Sequence, residues 1–287
     1  MPKPKIGKTR QDSETTLEEI YDPGMSGKKG ILRWPPAAGK FQHLRRAPSP
    51  ELRDWVDRYW MVSWDLKDEP CLQETLPYPV VHVTFEQGEC RVGGVHSARF
   101  SRVLKGRSRV FGIKFRPGGF RPFFKVPVAN LRDRIIPGEK VFGKQVRDFV
   151  ELWESGCEVE DMIANVDAFL RERKPKPDEN VEVAAGLVRQ VQEDREIHQV
   201  EDLVARSGMT KRSLQRIFRE YVGISPKWVI CRFRMHEAVE AVHSGERVDF
   251  AELAQELGYF DQAHFINEFR KIIGLSPTEY KKQVSRK

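Results

Sequence analysis

No run of 18 consecutive apolar residues occurs anywhere in the 287-residue sequence, so no segment is long enough to cross a bilayer as a helix. The charged N-terminal stretch lacks the apolar core of a secretory leader, which points to a cytoplasmic protein. Cysteine is scarce. The four present (Cys71, Cys90, Cys157, Cys231) never form a CxxC pair, so free thiols in a reducing compartment are expected. No His or Cys pair has ligand-like spacing, and neither a metal nor another cofactor is expected. No GKS/T phosphate loop, carboxylate pair or Ser/His/Asp order stands out, so no catalytic residue is assigned and an enzyme is not the first reading. Bulk charge is also uninformative. Of the net +7, residues 1–47 supply +5, from 10 basic against 5 acidic residues, whereas residues 179–287 balance at 17 of each. Any attraction to phosphate must come from where charges sit.

What is present is a pattern of helices. Residues 208–223 read GMTKRSLQRIFREYVG, and Leu214, Ile217, Phe218 and Tyr221 recur at i, i+3, i+4 and i+7, the stripe of an amphipathic helix. Thr210 is a fitting N-cap and Gly223 a fitting stop. Opposite the stripe lie Arg212, Ser213 and Arg216, flanked by Lys211, Gln215 and Arg219; residues 209–221 hold four basic residues against Glu220.

The pattern repeats. Residues 258–274 read GYFDQAHFINEFRKIIG, and a shift of 51 pairs Leu214 with Phe265, Phe218 with Phe269, Arg219 with Arg270, Gly223 with Gly274 and Ser225-Pro226 with Ser276-Pro277. Upstream the shift is 50, pairing Leu203 with Leu253 and Gly208 with Gly258, so the second copy has one extra residue in its turn. Each copy reads as a short helix (199–206 and 249–257), a Gly-containing turn and a longer helix, the order of a helix-turn-helix. Two copies fall short of a solenoid. Between them, residues 226–243 contain no internal Gly or Pro, and Trp228, Cys231, Met235, Ala238 and Val242 form a stripe widened by Val229 and Phe233. One helix of 18 residues is predicted, about 27 Å long. Successive major-groove entries on one face of DNA are about 34 Å apart, so this helix suits two reading heads.

At these residues the chain resembles the DNA-binding domain of the AraC family of bacterial transcription regulators over roughly 180–283. The match runs through Leu203, Gly208, Thr210, Leu214, Arg216, Phe218, Arg219, Gly223, Ser225 and Pro226. In the second half it runs through Leu253, Ala254, Gly258, Tyr259, Asp261, Gln262, Phe265, Phe269, Arg270, Gly274, Ser276, Pro277 and Tyr280. Two departures stand out: Val204 where the second copy has Ala254, and Asn267 at the position of Arg216. The resemblance implies double-stranded DNA as partner, with a small-molecule effector, RNA polymerase and a second copy of the chain as further candidates, and no membrane. Helical projection assigns base reading to Arg212, Ser213, Gln215 and Arg216 in the first head and Gln262, Ala263, His264 and Asn267 in the second. Phosphate contacts fall to Thr210, Lys211, Arg219, Arg270 and Lys271.

Upstream, the composition divides the chain further. Residues 1–47, rich in Lys, Pro, Gly and Glu, read as a largely disordered basic tail with Trp34 and Phe41 as anchors. Residues 48–135 read as β-rich: a short helix through Leu52, Val56 and Tyr59, then strands at 59–66, 79–86, 89–95 and 109–115. Such short strands suggest a small antiparallel barrel or sandwich, and the resemblance implies an effector and dimerisation domain there. Residues 136–173 read as a helical hairpin (138–153 and 158–173) suited to dimerisation, docking or core packing, followed by a linker at 174–178 and the all-α domain at 179–287. The fold class is therefore α+β. In GIKFRPGGFRPFF (112–124), Arg116, Arg121, Phe120 and Phe123 form a candidate anionic-effector site, or else a turn packed on the β domain. His82 and His96 raise one alternative, a barrel enzyme or metal-dependent isomerase tethered to DNA, although no His-x-His partner supports it. An architectural DNA binder without an effector is the third reading.

Overall fold

The computed structural model describes residues 31–33, 40–67, 69–243 and 248–285. Nine strands come first: β1 Ile31–Arg33, β2 Phe41–Arg46, β3 Val56–Asp65, β4 Cys71–Thr75, β5 His82–Glu86, β6 Glu89–Gly93, β7 Phe100–Leu104, β8 Arg107–Phe115 and β9 Ile135–Pro137. All pair antiparallel, in a six-stranded sheet of order β2-β3-β8-β5-β6-β9 and a three-stranded sheet β1-β4-β7. The larger sheet is not closed into a barrel, because β2 and β9 remain its two edges.

Strand alternation explains the layering. From β3 and β8, Tyr59, Met61, Phe111, Ile113 and Phe115 enter one core, while Trp60, Val62, Trp64 and Val110 enter another with Cys71 and Leu104 of the smaller sheet. The first core is covered by helices. The expected helix 138–153 breaks at Gly143 (φ +80) into α2 (Glu139–Phe142) and α3 (Val146–Glu154), following the short α1 (Arg121–Phe124). A fourth helix, α4 (Val159–Glu172), completes the hairpin. Trp153, Met162, Val166 and Leu170 are buried against the sheet, and Tyr59 OH donates to Asp167 Oδ1 at 2.9 Å. The hairpin's apolar stripe thus packs on the core of the sheet.

Two further expectations change. Residues 50–59 do not form a helix: a 3-10 turn at Pro50–Leu52 leads into β3, whose pairing with β8 begins at Val56. Part of the presumed tail is also ordered, since β2 pairs residue for residue with β3 from Phe41–Trp64 to Arg46–Tyr59. An edge strand with one face in solvent tolerates the charges that made this stretch look like tail. Trp34 and the remainder of the tail reading lie outside the described residues.

The helical domain follows the linker: α5 Glu179–Glu193, α6 Val200–Ser207, α7 Lys211–Ile217, α8 Pro226–His243, α9 Phe250–Glu256, α10 Gln262–Ile273 and α11 Pro277–Ser285. Asp178 caps α5 by accepting from Asn180 N at 3.0 Å. The domain has two cores. Leu203, Leu214, Ile217 and Phe218 pack with α5 and the first half of α8, and Leu253, Phe265, Phe269 and Tyr280 pack with the second half of α8. No helix among the described residues is long and apolar enough to cross a membrane.

Candidate nucleic-acid interface

The first unit is α6, a turn and α7. Gly208 closes α6 in the left-handed region (φ +66), and the Thr210 side chain accepts from Ser213 N at 3.2 Å to open α7. Past Ile217 the helix widens into π-helical turns over Phe218–Val222 and stops at Gly223 (φ +90). With Leu214, Ile217 and Phe218 buried, Lys211, Arg212, Gln215, Arg216 and Arg219 are exposed. Lys211 Nζ lies 2.6 Å from Glu201 Oε1 and Arg219 Nη2 lies 2.7 Å from Glu220 Oε1, whereas no ion pair ties Arg212 or Arg216 to another described residue. Ser213 is half-buried and its hydroxyl accepts from Thr210 at 3.0 Å, so both hydroxyls are engaged in the cap.

The second unit is α9, a turn and α10. Asp249 caps α9, and Asp261 caps α10 by accepting from His264 N at 2.7 Å. Phe265, Phe269, Ile272 and Ile273 form the buried stripe, leaving Gln262, Ala263, His264, Asn267, Arg270 and Lys271 exposed. Lys271 Nζ is 3.6 Å from Glu268 Oε1. The same helical positions thus carry two guanidiniums in one unit, and a methyl and a carboxamide in the other.

Helix α8 holds both units. Its expected one-sided stripe is replaced by burial nearly all round: Arg232, Arg234 and His236 are buried along with Val229, Phe233, Met235 and Val242, while Trp228 and Cys231 are half-buried. Arg234 donates to the carbonyls of Arg195 (2.7 Å) and Val191 (3.1 Å), which ties α8 to the end of α5. Arg232 donates from Nε to Pro77 O at 2.9 Å, and burial lowers its pKa to about 10.

Pro77 belongs to the β domain, which grips both units. Trp228 Nε1 donates to Ser97 O at 2.8 Å, and Tyr78 OH donates to Gln192 Oε1 at 2.5 Å. Leu76 enters the core of the second unit and Val95 that of the first. The contacts at the two repeat-related stop glycines are parallel. A Cβ on Gly223 would meet Val128 Cγ1 at 2.7 Å, and one on Gly274 would meet Arg99 Cζ at 2.5 Å. Arg99 also donates to Ile273 O at 3.1 Å and pairs with Glu74 at 2.7 Å.

The candidate effector residues fall in this seam. Arg116 Nη2 is 2.8 Å from Glu182 Oε2, Arg121 Nε is 3.8 Å from Glu220 Oε2, and Gly118 abuts Ala184. Phe120 is buried and meets Phe115 edge-on at 5.0 Å, as does Phe123 at 5.6 Å. Arg116 is thus already paired, Arg121 Nε is buried without a hydrogen-bond partner, and the 112–124 turn packs between the domains. A denser cationic cluster lies elsewhere in the β domain. Asp57 Oδ2 is 2.8 Å from Arg58 Nε and 3.1 Å from Lys114 Nζ; Lys114 Nζ and Arg232 Cζ sit 4.4 and 5.2 Å from the Tyr78 ring centroid. Burial lowers the Lys114 pKa to about 8 and, helped by the Lys114 charge, that of His82 to about 3. His82 Nδ1 and Trp60 Nε1 are buried beside one another without hydrogen-bond partners, their rings 6.0 Å apart. Among the described residues no group of three or more His, Cys, Asp or Glu is placed to hold a metal ion.

Comparison with known proteins agrees with the helical domain. A helix-turn-helix domain model matches residues 203–283, and a domain of unknown function (DUF6597) matches residues 44–137. An uncharacterized HTH-type transcriptional regulator of Haemophilus influenzae is 31% identical over 100 residues, 35% of this chain and 32% of that protein. The F1 operon positive regulatory protein of Yersinia pestis is 35% identical over 82 residues, 29% of this chain and 27% of that one. This chain thus spans about a third of the length of these relatives. Among solved structures, ToxT of Vibrio cholerae aligns over 86% of this chain and 99% of its own, at 12% identity and a TM-score of 0.34. The repeat, the caps and the match converge: residues 203–283 form a helix-turn-helix domain.

Proposed function

We propose that the chain is a sequence-specific transcription regulator that acts in the cytoplasm on double-stranded DNA, reading two adjacent major-groove segments. One observation carries this reading. Two exposed reading helices, α7 and α10, are held on a single buried helix of 18 residues, and the first presents Arg212 and Arg216, which have no ion-pair partner among the described residues. Arginine pairs bidentately with guanine, whereas Asn prefers adenine and Ala offers a methyl. Base reading belongs to Arg212, Gln215 and Arg216 in one head and Gln262, Ala263, His264 and Asn267 in the other. Thr210, Lys211, Arg219, Arg270 and Lys271 take the flanking phosphates, and Ser213 assists through its cap. Selecting DNA from a random pool with the full chain tests the reading. A bipartite motif with half-sites about one helical turn apart is the expected product. Retention of DNA without enrichment of any motif would point instead to an architectural binder.

The β domain is the responsive part of this reading. Its support is the pairing of Lys114 and Arg58 with Asp57, with Lys114 and Arg232 both at the Tyr78 ring, next to the orphaned His82 and Trp60 nitrogens. Cationic groups in excess of carboxylates inside a protein favour an anionic ligand. Because Arg232 sits on α8, such a ligand would bear directly on the helix that spaces the heads. Thermal shift against a panel of anionic metabolites checks this: a stabilisation seen with wild type should vanish in Lys114→Met. Sedimentation on the selected duplex then reports whether one or two copies bind.

A further inference from the structure

The repeat is not perfect, and the structure locates the imperfection. In the first unit a single residue, Met209, separates the left-handed Gly208 from the N-cap Thr210; in the second, Tyr259 and Phe260 separate Gly258 (φ +74) from the N-cap Asp261. Met209 is half-buried against the core of its unit, and Tyr259 does the same job in the other, edge-on to Phe265 at 5.4 Å and His264 at 5.2 Å. Phe260 is therefore the added residue, with no counterpart in the first unit. It is 94% exposed, far above the next large apolar side chain among the described residues, Ile135 at 55%.

Its direction is set by its neighbours. On one side Tyr259 is committed to the core. On the other, Asp261 is committed to capping α10. Gly258 packs so closely on the His198 ring that a Cβ would lie 2.3 Å from Nδ1, which clamps the turn against the segment ahead of α6. The ring is thus presented to solvent by a rigid turn, immediately ahead of the helical residues Gln262, Ala263 and His264. In a helix-turn-helix these first positions of the second helix face the base edges. An apolar group there has one complement in the major groove, the C5-methyl of thymine, since the other base-edge features are hydrogen-bond donors and acceptors.

We propose that Phe260 is a specificity-determining residue of the second unit, its ring contacting the C5-methyl group of a thymine at the groove edge beside the base pair faced by Ala263. Together with Asn267 and Gln262, this makes the second half-site an A·T reader, while Arg212 and Arg216 make the first a G reader. The inference rests on the DNA-binding function proposed above and adds the base class read by one half.

Binding of the full chain is measured on the selected duplex with each thymine of the second half-site replaced in turn by uracil, which removes the methyl and leaves the pairing unchanged. Wild type should lose roughly five- to tenfold in affinity at one such position. Phe260→Ala should lose a similar factor on the thymine duplex and become indifferent to uracil there. Phe260→Leu should retain part of the discrimination. Unchanged melting temperatures would show that an exposed side chain, not the fold, has been altered. The proposal is overturned if Phe260→Ala binds as tightly as wild type, or if it weakens all duplexes while keeping the thymine–uracil difference. It is equally overturned if only transcription, not binding, is lost, because the ring would then face a protein. If wild type shows no sequence preference on any duplex, the regulator reading falls with it, whereas the other failures leave that reading standing.

Discussion

The two helix-turn-helix units share a scaffold and differ in what they display. Both end their first helix near a left-handed glycine, cap the second with a side-chain oxygen, bury an apolar stripe on α8 and stop at a glycine touched by the β domain. On that common frame the first unit presents Arg212 and Arg216, and the second Ala263, Asn267 and the added Phe260. Packing positions are therefore held to one solution while outward positions drift in chemistry, which is what a core at close packing and a solvent-facing helix surface respectively allow. The supports differ too. α5 and Val128 back the first unit; α11 and Arg99 back the second.

That difference in support yields the largest expected effect. Gly223→Ala sets a Cβ against Val128 Cγ1 at 2.7 Å and its carbonyl oxygen at 3.1 Å in a left-handed backbone, and should cost about 2–4 kcal/mol of stability. At Gly274 the φ is similarly left-handed, but the obstacle is the end of the Arg99 side chain, which can swing away, so Gly274→Ala should cost about 1–2 kcal/mol. Urea denaturation of the two variants decides it. Equal losses would mean that the β domain braces both units alike.

Acid tests the brace itself. His82 is neutral in the fold with a pKa of about 3, against about 6.5 for an exposed imidazole, so unfolding takes up a proton between those values. Its contribution is fully present above the unfolded value and is lost as pH falls from 6.5 towards 3, about 2 kcal/mol by pH 5. Both heads should lose DNA affinity together in this range, and His82→Phe should flatten the acid limb of the stability curve. A loss confined to one half-site would show that the units are braced independently.

Readout comes next. Arg216→Ala should cost about 1–3 kcal/mol on the selected site and relax preference at one or two base pairs of one half, with Asn267→Ala costing less than about 1 kcal/mol. Titration of operator variants measures both, and a larger relaxation from Asn267→Ala would invert the assignment of the heads. The smallest change is the symmetric one. Arg219→Ala and Arg270→Ala should each weaken all sequences similarly and lower the salt slope by about one, visible in a log–log plot of affinity against salt.

How much of this was legible in the residues varies by region. In the helical domain the repeat, the cap at Thr210 and the full extent of α8 were readable, because capping and helical periodicity are local. In the β domain β5, β6, β8 and most of β3 were readable, but β2, β4 and β7 were not. Their residues show no apolar alternation: β4 buries a glutamate, Glu74, β7 is mostly exposed, and Phe41–Arg46 carries the charge of a tail. At the candidate site the outward residues of α7 and α10 followed from the stripe, whereas Phe260 was visible only as an unexplained extra residue in the turn.

The sequence by itself determined the existence, order and facing of the two units, since each needs only its own stripe, cap and stop. Tertiary structure alone decided that α8 is buried on nearly every side, because the two cores and the β-domain loops close on it from different directions and bring Pro77 O within 2.9 Å of Arg232. It alone decided that Arg116 and Arg121 belong to an interdomain seam, since their partners Glu182 and Glu220 are 66 and 99 residues away in the chain. And it decided which of two adjacent aromatics turns outward: Tyr259 and Phe260 are alike in apolar character, and only the fit of one ring against Phe265 and His264 separates them.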